Sequence, residues 1–143
     1  MLAVRAMERG DAGAVAELIE QLGYGRTAEE VLEWLDEVQA ETQAAFVACV
    51  GGEVVGWIEV SLERRLQYPQ FALIGGLVVR EGMRGMGIGR RLCEEAERWG
   101  VERGVSRIRV TSRSTREDAH RFYLRDGYEL VKTSMVFEKK VGR

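Results

Sequence analysis

A glycine-rich stretch in the middle of the chain, residues 80–89, constrains the possible folds more than any other feature of the sequence. It follows residues 71–79, which are almost entirely apolar, as is typical of a strand buried on both faces. It leads directly into a segment in which apolar side chains recur at the spacing of one helix face, namely Ile88, Leu92, Ala96 and Trp99. The sequence therefore predicts a buried strand, a tight glycine loop and an amphipathic helix in direct succession.

This arrangement is suited to bind a phosphate or a diphosphate. The first N–H groups of a helix have no acceptor within the helix, and the helix dipole places about half a positive charge at the same end. Gly85, Gly87 and Gly89 carry no side chain, so an anion can approach the backbone closely. Arg84, Arg90 and Arg91 add guanidinium groups that suit phosphate oxygens.

Two common nucleotide-binding loops do not fit the glycine spacing. A Walker loop requires a lysine followed by serine or threonine after its last glycine, whereas Gly89 is followed by Arg90 and Arg91. The dinucleotide fingerprint needs glycines at its first, third and sixth positions, and the sixth position counted from Gly85 is Arg90. A plain turn between a strand and a helix would need only one or two glycines. The loop alone therefore predicts a phosphate ligand without naming its class.

The periodicity of the whole chain predicts a single α+β (mixed α/β) domain over residues 1–143. Capping boxes, in which a serine or threonine is followed three residues later by a glutamate, mark two helix starts at Thr27 and Ser114. The predicted strands are residues 2–6, 44–50, 54–62, 71–79, 107–112, 128–131 and 134–138, with a hairpin turn at Gly51-Gly52 and a loop at residues 63–70. The predicted helices begin at Asp11, Thr27, Ile88 and Ser114.

Composition excludes several classes of function. The 21 basic residues are balanced by 23 acidic ones, so there is no net basic field of the kind that nucleic-acid binding usually needs. Cys49, Cys93 and the single histidine lack metal-ligand spacing, so no metal site is expected. Two cysteines in apolar segments fit a reduced, cytoplasmic protein. No apolar run reaches the roughly 18 residues of a membrane span, and the first residues lack a signal-peptide pattern.

Two motifs, in order, resemble those of the GNAT superfamily of acyl-CoA-dependent N-acetyltransferases. Arg84-Gly85-Met86-Gly87-Ile88-Gly89 matches the signature Arg/Gln-x-x-Gly-x-Gly/Ala. Residues 119–128 resemble the second motif, with Tyr123 four residues before the pair Gly127-Tyr128. The resemblance is close over residues 71–128. It implies a central, mostly antiparallel sheet of about six to seven strands with a splayed parallel pair, flanked by about four helices.

The resemblance also implies acetyl-CoA as co-substrate and an amine, on a small molecule or on a protein surface, as acceptor. The glycine loop would hold the CoA pyrophosphate, and the end of the preceding strand would offer main-chain groups to the pantetheine arm. Arg116 stands where many relatives carry an asparagine that contacts CoA. The residues implied to bind the co-substrate are Leu77, Val78, Val79, Arg84, Gly85, Met86, Gly87, Ile88, Gly89, Arg90 and Arg116.

Catalysis would need an acid and a base, and the resemblance supplies only the acid. It implies Tyr123 as the general acid that protonates the leaving thiolate. An amine with a pKa near 10.4 is mostly protonated at neutral pH, so a base is needed as well. Many relatives carry a glutamate on the strand before the loop, where this chain has Gly75-Gly76. Glu59, flanked by apolar residues, is the best substitute because burial would raise its pKa; His120 or a water relay are the alternatives.

Other functions stay open on the sequence alone. A non-catalytic CoA-binding sensor or partner-binding module on the same fold would explain the missing strand glutamate, whereas the presence of Tyr123 favours an enzyme. A nucleotide-binding protein that uses the glycine loop is a third interpretation. Val136 and Phe137 in the predicted last strand could pair across two copies, so a homodimer is also considered.

Overall fold

A computed structural model of the chain describes residues 1–112 and 116–142. The chain forms two compact units, Met1–Thr111 and Ser112–Arg143. The described elements of the first unit are β1 (Leu2–Ala6), a 3-10 turn (Arg9–Asp11), α1 (Ala12–Gln21), α2 (Ala28–Glu37), β2 (Gln43–Val50), β3 (Glu53–Arg65), β4 (Tyr68–Val79), α3 (Ile88–Glu102) and β5 (Ile108–Val110). The second unit contains α4 (Glu117–Arg125).

The five strands form one mixed sheet in the order β1-β2-β3-β4-β5. The first four strands are antiparallel neighbours, and β5 runs parallel to β4 after the crossover through α3. The mixed α/β fold with a parallel pair is therefore confirmed, with five strands among the described residues where six to seven were expected.

Helices cover both faces of the sheet in the first unit. The apolar faces of α1 and α2 pack with a set of buried strand residues that includes Val47, Trp57 and Val78. The opposite face carries α3, which approaches the sheet where side chains are missing. A Cβ atom on Gly56 would lie only 3.0 Å from a methyl carbon of Leu92 in α3. Adjacent strand residues point to opposite faces, which is why Gly56 and Trp57 contact different helices.

Several local predictions are confirmed by the structure. The capping box at the start of α2 is present, since the N–H of Glu30 donates to Thr27 Oγ1 at 3.1 Å and the N–H of Thr27 donates to Glu30 Oε1 at 2.9 Å. The β2–β3 hairpin turns at Gly51 and Gly52, whose φ values of +59° and +81° are left-handed. Such values are costly for residues with a Cβ, so two glycines at this turn have a clear structural reason.

A partly buried ion pair fixes the end of β1 to the turn before α1. Arg5 donates through both terminal nitrogens to the Asp11 carboxylate, at 2.8 and 2.9 Å. The N–H of Glu8 donates to the same carboxylate at 2.8 Å. These hydrogen bonds, of which the one from Arg5 has the largest effect, hold the pKa of Asp11 below its usual range.

The predicted loop at residues 63–70 is wrong. β3 continues to Arg65 and β4 begins at Tyr68, so only Leu66 and Gln67 form the turn. The polar residues belong to a long hairpin, in which Arg65 pairs with Tyr68 and an irregularity separates that pair from Glu63 and Phe71. Proline is tolerated next to such a turn because a hairpin end has N–H positions that are not needed by the ladder.

The strands predicted at residues 128–131 and 134–138 are also wrong, because residues 128–142 form neither helix nor strand. A strand exists only where a neighbouring chain segment takes up its hydrogen bonds, and an alternating sequence cannot supply that neighbour by itself. The strand predicted at residues 107–112 is shorter than expected, at Ile108–Val110. The capping box proposed at Ser114 lies outside the described residues.

No helix in the described part of the chain combines the length and the apolar character that crossing a bilayer requires.

Candidate active site

The end of β4 has an open edge. β4 pairs with β5 only from Ala72 to Ile74, and no strand among the described residues pairs with that side of β4 beyond this point. On the other side, the N–H of Arg80 donates to the carbonyl of Val55 in β3 at 2.7 Å. Because ladder bonds alternate along a strand, Leu77 and Val79 direct their main-chain groups away from β3, to the open edge.

The three strand residues that were predicted to contact pantetheine differ in which main-chain groups they present at the open edge. Leu77 presents its N–H and C=O at the open edge, and Val79 presents its N–H there. The carbonyl of Val79 already accepts a hydrogen bond from the side chain of Gln21 at 2.8 Å. Val78 faces β3 with its main chain, pairing with Trp57, and its side chain is buried in the core. An arm bound as an added strand would therefore use Leu77 and the N–H of Val79.

The loop between β4 and α3 presents a row of main-chain donors. Gly82, Gly85 and Gly87 have φ values of +88°, +83° and +78°, so each turns the backbone through the left-handed region. No N–H group from Arg84 through Gly89 donates to another residue in the part of the chain that the structure describes. Six consecutive donors at the start of a helix form an anion-binding concavity, to which the helix dipole adds positive potential.

The side chains of this loop differ in what they offer. Arg84 and Arg90 are exposed, as is Met86, whereas the side chain of Ile88 is buried in the core. Ile88 can therefore contribute only its N–H to an anion. A Cβ atom on Gly85 or Gly87 would meet no atom within 4 Å. These two glycines are therefore required for backbone conformation, and the space above them is open to a ligand.

Glu59 lies in β3 opposite Gly76, beside a register shift between Glu59 and Val60. A Cβ atom built on Gly75 would lie 3.8 Å from the carboxyl carbon of Glu59, an ordinary van der Waals contact, so the carboxyl group lies directly beside Gly75. Its carboxyl has no hydrogen-bond or ion-pair partner among the described residues. Burial raises the pKa of Glu59 above its ordinary value.

Trp57 lies beside Glu59 on the same face of β3. Its indole extends across β4, and a Cβ atom on Gly76 would come within 2.7 Å of the ring atoms Cζ3 and Cη2. Trp57 is only 8% exposed. The missing side chain of Gly76 therefore leaves a shallow trough in β4 that the ring of Trp57 occupies, and the carboxyl of Glu59 lies at van der Waals distance from Gly75.

The predicted acid lies in the second unit. Tyr123 is a half-buried residue of α4, and its ring makes edge contacts with Phe122 and Tyr128 at centroid distances of 5.3 and 5.8 Å. Its carbonyl accepts from the N–H of Tyr128 at 2.9 Å. Arg116 is the residue at the start of α4, and its carbonyl accepts from the N–H of His120 at 3.1 Å. The roles of Tyr123 and Arg116 remain predictions.

Gln21 is the residue of this region that the sequence analysis missed. It is the last residue of α1, and it contacts the backbone at the end of β4, far away in the sequence. A polar residue at a helix end gives no local signal of such a contact.

In the described residues, no group of three or more histidine, cysteine, aspartate or glutamate side chains could hold a metal ion.

The mostly antiparallel sheet, the parallel pair and the glycine loop at the start of α3 are the features that the GNAT resemblance predicts. Residues 13–128 match the model of the acetyltransferase (GNAT) family, and the chain therefore belongs to this family. Among curated proteins, it is 38% identical over 84 residues to an aminoalkylphosphonate N-acetyltransferase of Salmonella typhimurium. That match covers 58% of this chain and 54% of the relative, so the chain spans about half the length of the curated relative it matches.

Solved structures share the fold at lower sequence identity. An aminoglycoside N-acetyltransferase in complex with CoA superposes with a TM-score of 0.86 at 18% identity, covering 99% of this chain and 96% of that one. A glucosamine-6-phosphate N-acetyltransferase from Arabidopsis thaliana gives 0.85 at 18% identity, covering 98% and 99%. A transcriptional regulator from Bacillus halodurans gives 0.85 at 24% identity, covering 97% and 100%. These likenesses establish the fold.

Proposed function

We propose that this protein is an N-acetyltransferase that transfers the acetyl group of acetyl-CoA to a primary amine by direct attack. The observation that carries the proposal is the row of unpartnered N–H groups from Arg84 to Gly89, beside the open edge of β4, in a chain of the GNAT family. Backbone donors at a helix start suit a diphosphate, and an open strand edge suits the amide groups of a pantetheine arm.

The chain's own residues divide the binding of acetyl-CoA between two regions. The N–H groups of Arg84, Gly85, Met86, Gly87, Ile88 and Gly89 would hold the diphosphate, with the exposed guanidinium groups of Arg84 and Arg90 nearby. Leu77 and Val79 would hold the arm through their main chains. Arg116 is proposed to contact a phosphate of CoA. When bound, acetyl-CoA supplies an acetyl thioester, whose carbonyl carbon is the centre that the amine attacks.

Glu59 is proposed as the general base. Its carboxyl is half-buried, has no partner among the described residues, and has a raised pKa, so it can accept a proton from an ammonium group at neutral pH more readily than an exposed glutamate could. A C–N bond then forms as the C–S bond of the thioester breaks. Glu59 holds the proton that the ammonium loses before attack, and the phenol of Tyr123 supplies a proton to the leaving sulfur. The second proton, which the nitrogen gives up as the amide forms, passes to solvent, from which the tyrosinate recovers its proton.

The acceptor is proposed to be a small-molecule amine. The support is the similarity to an aminoalkylphosphonate N-acetyltransferase, whose name describes an amine on a small molecule. An exposed amine of a protein is the other acceptor class. A panel of aminoalkylphosphonates, amino sugars and lysine peptides, assayed by release of free CoA thiol, tests the choice. Turnover confined to the peptides would contradict it.

A non-catalytic CoA-binding module is the second candidate function. It is favoured by one observation, namely that this chain has Gly75 and Gly76 at the strand position where the family resemblance implies a glutamate. The two candidates differ in a direct experiment. Both predict that acetyl-CoA, at about 100 times its Kd, stabilises the protein by roughly 2.7 kcal/mol, whereas ATP and a nicotinamide dinucleotide do not. Only the enzymatic function predicts that amines cause release of free CoA thiol. Only this function predicts that Glu59→Gln lowers the rate of that release.

We propose further that residues 1–143 act as one domain in the cytoplasm and associate as a homodimer. The family match at residues 13–128 runs through the boundary between the two compact units, which supports one domain. The two cysteines are buried and are not joined in a disulfide, which suits a reducing compartment. Val136 and Phe137 are 89% and 85% exposed, and such apolar side chains favour association with a second copy. Light scattering at several concentrations tests the dimer, and a monomer throughout would refute it.

A further inference from the structure

Gln21 connects α1 to the backbone at the end of β4. Its Nε2 donates to the carbonyl of Val79 at 2.8 Å, and its Oε1 accepts from the N–H of Glu81 at 2.9 Å. The two backbone groups lie on either side of Arg80. One planar amide therefore spans the residue at which the strand ends and the loop begins, using its donor and its acceptor together.

Arg80 is held from the opposite side by β3. Its N–H donates to the carbonyl of Val55 at 2.7 Å, and its guanidinium donates to the carbonyl of Val54 at 2.8 Å and to Glu53 at 2.5 Å. The strand end is therefore fixed between two elements, with Gln21 on one side and the β2–β3 hairpin on the other. Two sets of directional bonds leave it little freedom to rotate.

The loop after this point has few other attachments. The N–H of Met83 donates to the carbonyl of Arg80 at 3.0 Å, and the next main-chain bond joins the N–H of Arg91 to the carbonyl of Gly87 at 3.1 Å. Between them lie the unpartnered N–H groups of residues 84–89. The direction in which these N–H groups point therefore depends on the backbone conformation at Arg80. β3 fixes that conformation from one side, and Gln21 fixes it from the other.

We propose that Gln21 is a positioning residue for the diphosphate-binding loop, which sets the affinity for CoA without contacting it. The inference rests on the proposed function, because it takes the diphosphate of CoA as the ligand of residues 84–89. Pre-organised donors bind an anion more tightly than donors that must first be ordered. Loss of two neutral hydrogen bonds that hold the loop is expected to weaken CoA binding roughly tenfold.

The test compares Gln21→Met, which keeps the length of the side chain without its hydrogen bonds, with Gln39→Met. Gln39 is an exposed residue whose side chain makes no hydrogen bond among the described residues, so it is the matched control. Calorimetry with CoA should give a Kd raised roughly tenfold for Gln21→Met and unchanged for Gln39→Met. The KM for acetyl-CoA should rise with the Kd, while kcat at saturation and the KM for the amine stay within about twofold.

A truncated co-substrate separates positioning from general damage to the fold. Acetyl-pantetheine lacks the diphosphate, so its kcat/KM should be the same for the wild type and for Gln21→Met. Equal losses with acetyl-pantetheine and with acetyl-CoA would overturn the role of Gln21, and so would an unchanged Kd for CoA in Gln21→Met. Failure of the wild-type protein to bind CoA is a different result, since it would overturn the proposed function together with this inference.

Gln21→Glu gives a second, isosteric comparison. The glutamate keeps an acceptor for the N–H of Glu81 but has no donor for the carbonyl of Val79, which it repels. Its Kd for CoA should therefore also rise. An affinity for CoA equal to that of the wild type would mean that the bond to Val79 has no part in holding the loop.

Discussion

Replacement of Gly76 by alanine tests the most closely packed contact of the candidate site. The new Cβ would lie 2.7 Å from two ring atoms of Trp57. Carbon atoms without a bond between them rest at about 3.5–4.0 Å, so the indole would have to move by about 1 Å. Trp57 is 8% exposed and packs with the core under α1 and α2, which leaves it no free space to enter. Overpacking of this kind costs about 1–3 kcal/mol.

The neighbouring glycine supplies a matched control. A Cβ on Gly75 would lie 3.8 Å from the carboxyl carbon of Glu59, an ordinary contact, and Gly75 does not have a left-handed φ. Gly75→Ala should therefore be neutral, or stabilising by about 0.4–1 kcal/mol through the unfolded chain. For a domain of this size, 1 kcal/mol corresponds to about 3–4 °C in Tm, so Gly76→Ala should lower Tm by about 3–12 °C.

Thermal unfolding by circular dichroism, repeated in a double-mutant cycle, decides the matter. Trp57→Phe removes the outer ring atoms that lie over Gly76, so the cost of Gly76→Ala should fall by at least about 1 kcal/mol in that background. If Gly76→Ala and Gly75→Ala had the same Tm, or if the cycle gave no coupling, Trp57 would not lie across β4 and the trough would be an incorrect description.

The remaining predictions concern three ionisable groups. Glu59→Gln should lower kcat/KM by about 10²–10⁴-fold. Because the pKa of Glu59 is raised in the folded protein, the wild type loses stability as pH rises through that pKa. The variant should therefore be at least as stable as the wild type at pH 8, and a large loss of Tm would contradict this. In the wild type, kcat/KM should rise with pH around an apparent pKa higher than that of an ordinary glutamate, and a profile that Glu59→Gln leaves unmoved would remove Glu59 from the mechanism. Tyr123→Phe should keep the affinity for CoA and lower turnover, and equal turnover would exclude Tyr123 as the acid. Asp11→Asn should destabilise the protein by about 1–3 kcal/mol at pH 7. Because the pKa of Asp11 is lowered in the folded protein, its contribution to the free energy of unfolding is complete above about pH 4 and is lost as pH falls through the folded-state pKa. Urea titrations of the two proteins should therefore converge in acid, and a constant difference would be inconsistent with the Arg5–Asp11 pair.

Short-range signals of the sequence predicted the fold well where the interactions are themselves short-range. The capping box of Thr27 and Glu30 and the glycine turn at positions 51 and 52 involve residues within one turn of each other. The hairpin that continues to Arg65 was missed because a strand with one solvent-facing side is polar enough to resemble a loop. The last strands were wrongly predicted because alternation describes a strand face but does not provide a neighbour.

The same distinction applies to the candidate site. The glycine loop was predictable because its donors are consecutive in the chain and its left-handed turns require glycine. The relation of Glu59 to Gly75 depends on the register of β3 against β4 and on the shift beside Glu59, neither of which leaves a pattern in the sequence. Gln21 was missed for a related reason, since its two bonds reach a backbone segment that only the tertiary fold brings near.

The topology of the sheet has a consequence for the local stability of the site. β1 to β4 join their neighbours as antiparallel pairs, and the β2–β3 and β3–β4 pairs are closed by turns of only two residues, so their contacts cost little loop entropy. β1 and β5 are each joined to the sheet through a long helical connection, and β5 gains only three paired residues, Ile108 to Val110, where β1 gains five. The flank of the open edge is therefore the first part of the sheet to open by local unfolding. An element of low local stability beside a ligand site lets that site widen without disturbing the antiparallel strands that carry Glu59 and Leu77.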